Sequence, residues 1–142
     1  SLSLFNWHRK RDADDMSATR YNTNMLDKKV NSLRNAFAGL NIAWREEFNF
    51  RIQIACGIIA IAAAWMLEVS RLEFLMIILL VGFVLSAEAL NTALEEFCDM
   101  VERNPDPHIA KIKDLAAAAV LIASFTALVI GAAIFIPHLP LS

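Results

Sequence analysis

Glu88, Asn91, Glu95 and Asp99 stand at i, i+3, i+7 and i+11 and grow out of an apolar run, Leu-Leu-Val-Gly-Phe-Val-Leu-Ser-Ala. On a helix advancing about 100° per residue these four side chains share one narrow stripe. A carboxylate at the edge of hydrocarbon costs roughly 2.5–3.5 kcal/mol on insertion scales, so a chain that keeps several there is using them. A stripe of oxygen ligands at a membrane surface points to cation-assisted chemistry on a lipid.

Two other polar sets interrupt apolar sequence in the same way: Glu46-Glu47-Phe48-Asn49-Phe50-Arg51, and Lys111-Ile112-Lys113-Asp114. Carboxylates and an amide suit a hard divalent cation such as Mg²⁺, which takes oxygen ligands, keeps several waters and bridges substrate phosphates. A lysine near a helix N-terminus adds positive charge where backbone N–H groups already point outward, a setting that suits nucleotide phosphates. The three sets together resemble a phosphoryl-transfer site.

The elements that position these residues are legible from hydropathy. With 142 residues, 57% of them hydrophobic, and a mean hydropathy of +0.47, the chain is expected to be an all-α integral membrane protein of one domain. Apolar stretches run from Ile52 to Leu67, Leu72 to about Leu94 and Leu115 to Ile136. They predict spans at about 51–67, 72–95 and 114–136, the first of marginal length against the roughly 20 residues that a crossing needs. Glu68-Val69-Ser70-Arg71 is so short a link that the first two spans must be antiparallel neighbours, with Trp65 as an interface anchor. Upstream, Val30, Leu33, Phe37, Leu40 and Trp44 recur in steps of three and four. This predicts an amphipathic helix over about 28–47 lying flat on the bilayer. Residues 1–27 read as a polar, mobile tail in which His8-Arg9-Lys10-Arg11 precedes Asp12, Asp14 and Asp15, with no apolar core of a signal peptide.

Charge and cysteine usage exclude other classes. A formal charge of −2 gives no sign of nucleic-acid binding, and Cys56 and Cys98 lack any metal-ligand spacing, so both read as buried reduced thiols. Basic residues gather in the N-terminal region up to Arg51 and in the second loop (Arg103, Lys111, Lys113), against a lone Arg71 in the short turn. This predicts a cytoplasmic N-terminus and a C-terminus outside. Pro137 and Pro140 then end the third span.

The core motif Glu88-Ala-Leu-Asn91-Thr92-Ala93-Leu94-Glu95-Glu-Phe-Cys-Asp99, the block Lys113-Asp114-Leu-Ala-Ala-Ala-Ala-Val-Leu-Ile and the upstream Glu47-Phe-Asn-Phe50-Arg51 resemble, in order, the small bacterial integral-membrane lipid kinases of the diacylglycerol and undecaprenol kinase group. The resemblance covers about residues 30–137. It implies a homotrimer of subunits with three spanning helices and a surface helix, whose active sites are shared between subunits at the cytoplasmic face of the bacterial inner membrane. It further implies transfer of the γ-phosphoryl group of ATP, with Mg²⁺, to the hydroxyl of a membrane lipid alcohol. Carried over by position, Glu47 and Glu95 match metal ligands that also serve the nucleotide, Glu88 the general base, and Asn91 a residue lining the reacting centre. Lys113 matches the phosphate-contacting lysine, and Asp99 and Asp114 match nucleotide-side carboxylates. Arg51 falls with Glu88 and Asn91 on the lipid side.

Two departures bear on substrate. Ile52-Gln53 stands where the diacylglycerol branch has Gln-Glu, which tilts the reading toward undecaprenol. Asn104-Pro105-Asp106-Pro107-His108 replaces a loop that often carries adenine contacts, so no base contact transfers. Two blander readings compete. A polar stripe in a spanning helix can be glue between helices, as Ala116 to Ala119 is read here as close packing. A family-derived subunit without turnover, serving assembly with its tail as a docking arm, is the alternative to an enzyme. Glu96, rotated by about 100° from Glu95, is expected to face away from the stripe.

Overall fold

The computed structural model of the protein describes residues 25–102 and 104–139, which are helical apart from short turns and contain no strand. Helix α1 covers 25–46, α2 Phe48–Met66, α3 Arg71–Val101 and α4 Pro107–Phe135, the last running into a 3₁₀ turn at Ile136–His138. The N-terminal stretch read as a tail lies, up to residue 24, outside the described residues. The chain divides into two compact units after Asn41. In the first, α1 begins at 25, three residues before the expected start, and Val30, Leu33, Phe37 and Leu40 are all exposed.

The second unit is built on α2, α3 and α4, with α3 packed against both of the others. All three are long and apolar enough to cross a membrane, with mean hydropathies of 1.5, 2.2 and 2.6. Only 11–17% of their apolar windows is buried within the chain. The remaining apolar faces therefore need hydrocarbon or further protein to cover them.

A single extended residue, Glu47 (φ −100°, ψ 114°), separates α1 from α2. Met66 ends α2 in a turn whose geometry is fully hydrogen-bonded: Glu68 N–H donates to the Trp65 carbonyl and Val69 N–H to the Ala64 carbonyl, both at 3.3 Å. This is the Schellman arrangement, which closes a helix through one residue in the left-handed region. That residue is Glu68, at φ 51°. Ser70 then caps α3 reciprocally: its hydroxyl accepts from Glu73 N–H and the Glu73 carboxylate accepts from Ser70 N–H at 2.8 Å. This two-ended punctuation lets four residues reverse the chain. Beside the turn, Ala64, Ile77 and Ile134 form a buried cluster with Val69 and Phe74 packed on it.

Helices α3 and α4 are longer than the hydropathy windows predict. No Gly or Pro interrupts the chain between Gly82 and Pro105, so α3 continues past Leu94 and keeps Glu95 and Asp99 helical until Glu102 turns extended (φ −145°, ψ 119°). Helix α4 starts seven residues before the expected 114. Asp106 is its N-cap, accepting from the N–H groups of His108 and Ile109 at 2.7 and 3.1 Å, and Pro107 opens the first turn. Proline is favoured there because its missing N–H would be unpaired anyway and its fixed φ suits the helix.

Candidate active site

The stripe on α3 resolves into three separate polar connections. Glu88 is 3% exposed and is the only buried charged side chain among the described residues. Its Oε2 accepts a hydrogen bond of 2.9 Å from Gln53 Nε2 on α2. A buried carboxylate without such a partner would be expelled or neutralised, so the amide is what lets Glu88 stay inside. One turn further on, Asn91 Nδ2 donates to Glu95 Oε1 at 2.9 Å, an i, i+4 pair that fixes both side chains. At the end of the stripe Asp99 Oδ1 accepts from Lys113 Nζ on α4, tying the two helices together where both side chains are partly exposed.

Among the described residues, two acceptor atoms in this region have no partner. Gln53 Oε1 and Asn91 Oδ1 are buried carbonyl oxygens with nothing to accept from. Each costs of order 1–3 kcal/mol if it stays unsatisfied, so these are places where a ligand group would be stabilised. Gln53 also lines a cavity of about 630 Å³ between the three helices, whose other walls include Gly57, Val81, Val84, Leu128 and Phe135. A second, more polar hollow of about 500 Å³ is bordered by Asp99, Glu102, Asn104, Asp106 and Lys113. The apolar cavity reaches Gln53, the hydrogen-bond partner of Glu88 at one end of the α3 stripe, and the polar hollow reaches Asp99 at the other.

Other residues singled out from sequence are not drawn into a cluster. Glu47 is half-buried at the N-cap of α2 but makes no side-chain cap bond. Arg51 is exposed, its guanidinium 5.8 Å from the centre of the Phe48 ring. Asp114 is exposed, and so is Glu96, which lies off the stripe as its rotation predicts. No group of three or more His, Cys, Asp or Glu side chains that could hold a metal forms among the described residues. The donor chemistry still fits a hard cation: Glu95 supplies carboxylate oxygens, and the unpaired Asn91 Oδ1 belongs to the same hydrogen-bonded pair. Gln53 is the residue whose role sequence reasoning passed over. Its signal was present, since it is the one amide in the apolar stretch from Ile52 to Leu67.

Residues 34–135 match the family described as prokaryotic diacylglycerol kinase. A diacylglycerol kinase of Synechocystis sp. is 37% identical over 109 residues, a match spanning 76% of this chain and 62% of the relative's length. The undecaprenol kinase of Bacillus subtilis is 33% identical over 116 residues, 82% of this chain and 94% of the relative. The diacylglycerol kinase of Escherichia coli is 29% identical over 108 residues, 76% of this chain and 88% of the relative.

Proposed function

Because the chain belongs to the prokaryotic diacylglycerol kinase family, whose members are lipid kinases, we propose that it phosphorylates a membrane lipid alcohol, diacylglycerol or undecaprenol, with ATP as co-substrate at the cytoplasmic membrane face. The observation that carries this reading is Glu88, a buried carboxylate held by a hydrogen bond from Gln53, a residue that lines an apolar cavity. A carboxylate there can take the proton of a hydroxyl presented from hydrocarbon.

In this reaction the lipid hydroxyl oxygen attacks the γ-phosphorus, its proton passes to Glu88, and the bond to the β-phosphate bridging oxygen breaks to release ADP. General-base assistance contributes typically 10²–10⁴-fold, and most of the remaining acceleration comes from positioning and charge neutralisation. Glu95 and Glu47 are the residues that would hold Mg²⁺, with Asn91 fixing the Glu95 carboxylate. A bound Mg²⁺ supplies positive charge against the phosphate oxygens. Lys113 approaches the phosphates from α4, with Asp99 and Asp114 on the nucleotide side and Arg51 and Asn91 on the lipid side. Asp99 holds Lys113 close, so the lysine must be shared or handed over when a nucleotide arrives.

The working unit in this proposal is a homotrimer in the bacterial inner membrane, with the kinase domain over 28–142, residues 1–27 as a tail, the N-terminus in the cytoplasm and the C-terminus outside. The open apolar faces of α2, α3 and α4, and the absence among the described residues of a group that gathers Glu47 with other carboxylates, support sites completed between subunits. The exposed apolar stripe on α1 supports its lying on the bilayer. Phosphoryl transfer from labelled ATP to each lipid in mixed micelles tests the reading, with Glu88→Gln run alongside. Product from the wild type and at least a hundredfold less from the variant is the expected result. A wild type inert on both lipids would leave the assembly role as the better account.

A further inference from the structure

Gln53 stands two residues past the Glu47–Arg51 block, at a position where this chain departs from the diacylglycerol branch, and it is the only described residue hydrogen-bonded to the Glu88 side chain. The amide turns its nitrogen toward Glu88 and its carbonyl the other way. That carbonyl oxygen, Oε1, is buried and unpaired among the described residues, on a side chain that lines the apolar cavity between α2, α3 and α4. Among the residues walling that cavity, only Gln53, Cys56 and Ser124 carry a polar side chain. Ser124 has a hydroxyl that can bond its own helix, and a thiol is a weak partner. Gln53 Oε1 is therefore the strong acceptor, unpaired among the described residues, on the side chains that wall the apolar cavity.

We propose that Gln53 is the positioning and recognition residue for the lipid hydroxyl, an inference that rests on the kinase reading above. Its Nε2 holds Glu88 Oε2, which fixes the carboxylate and leaves Oε1 of Glu88 for the substrate proton. Its own Oε1 accepts the hydroxyl hydrogen when the lipid docks. The hydroxyl then turns its proton to Glu88 as its oxygen bonds to phosphorus and the bond to ADP breaks. One side chain thus sets both the orientation of the base and the place of the nucleophile, and because it reads only a hydroxyl donor it serves any lipid alcohol whose hydrocarbon fits the cavity.

The test compares wild type, Gln53→Met and Gln53→His, measuring kcat and KM for lipid and for ATP separately in mixed micelles. Methionine keeps the length of the side chain without donor or acceptor, whereas a neutral imidazole offers one of each. Gln53→Met should raise the lipid KM and lower kcat, each by about tenfold, the size expected for losing one buried hydrogen bond, while the ATP KM stays put. Gln53→His should recover lipid kcat/KM to within about threefold of wild type, as a shared donor and acceptor function requires. Unchanged lipid kinetics in Gln53→Met would overturn the proposal, and so would equal defects in both variants or a parallel rise in the ATP KM, since each marks a packing role only. A turnover-free readout separates this from failure of the kinase reading. The infrared carboxylate band that disappears in Glu88→Gln should shift in Gln53→Met, and an unmoved band would refute the positioning role even in an active enzyme.

Discussion

Lys113 Nζ lies 2.5 Å from Asp99 Oδ1, so the cation proposed to meet the nucleotide is already paired with a carboxylate on the neighbouring helix. Both groups are partly exposed, and exposed ion pairs contribute little to stability. The pair is better suited to aiming the lysine than to holding the fold. Lys113→Met should therefore lower kcat/KM for ATP by about a hundredfold, the scale of a lost charge-assisted contact to a transferred phosphoryl group, with the melting temperature nearly unmoved. Asp99→Asn should weaken ATP binding less, because it frees the lysine without removing it. A larger defect in Asp99→Asn than in Lys113→Met, by steady-state kinetics with ATP varied, would contradict this order.

Asn91 and Glu95 predict a metal phenotype that is separable from the lipid one. Groups that orient a ligand carboxylate commonly change metal affinity by about 10–100-fold when lost. Asn91→Leu removes the Nδ2 donor to Glu95 and should raise the Mg²⁺ concentration for half-maximal activity by about tenfold. Glu95→Gln should abolish activity at any Mg²⁺ concentration reached, and Glu96→Gln, exposed and off the stripe, should titrate like wild type. A Mg²⁺ titration of the four proteins decides. Equal damage from Glu96→Gln and Glu95→Gln would show that the stripe is assigned to the wrong face.

Much of this architecture is written in local sequence, and the parts that are not have physical reasons. Period and hydropathy mark three spanning helices because membrane insertion imposes long apolar runs. The i, i+3, i+7, i+11 stripe is legible because all its members ride one helix. Helix ends were less legible where they leave hydrocarbon: hydropathy falls at Leu94 and rises at Leu115, yet α3 runs to Val101 and α4 begins at Pro107. The Asp106-Pro107 pair carries the start signal for α4, which a hydropathy window does not register. Partners across helices were least legible. Nothing local in Gln53 says that it will meet Glu88, 35 positions away, because that contact depends on how α2 and α3 cross.

Gly57 and Val81 set that crossing. A Cβ built on Gly57 would stand 2.7 Å from Val81 Cγ1. Valine is stiff about χ1 and cannot swing clear. Gly57→Ala should therefore push α2 from α3 and destabilise the protein by about 1–3 kcal/mol, the usual cost of overpacking. Because Gly57 lies four residues from Gln53 on the same helix, the Gln53–Glu88 bond should loosen and lipid phosphorylation fall as well. Val81→Ala removes the opposing methyl groups, so the double variant Gly57→Ala/Val81→Ala should be more stable than Gly57→Ala alone. Additive destabilisation in a thermal or denaturant cycle would show that the clash is relieved elsewhere.

Glu68 occupies the left-handed region at φ 51° in the turn between α2 and α3. That conformation costs a residue with a Cβ roughly 1 kcal/mol, and glycine adopts it freely. The hydrogen bonds that close the turn run through the backbone, from Glu68 N–H and Val69 N–H, so a glycine at 68 retains them all. The Glu68 side chain is exposed, and it lies at the opposite end of α2 from Gln53. Glu68→Gly should therefore raise stability by about 0.5–1 kcal/mol with activity unchanged, since the relief of left-handed strain outweighs the added freedom of the unfolded chain. Glu68→Val, β-branched in the same conformation, should do the reverse. If the glycine variant melts lower than wild type in the same detergent, the Glu68 carboxylate contributes to the turn through interactions that its backbone geometry does not account for.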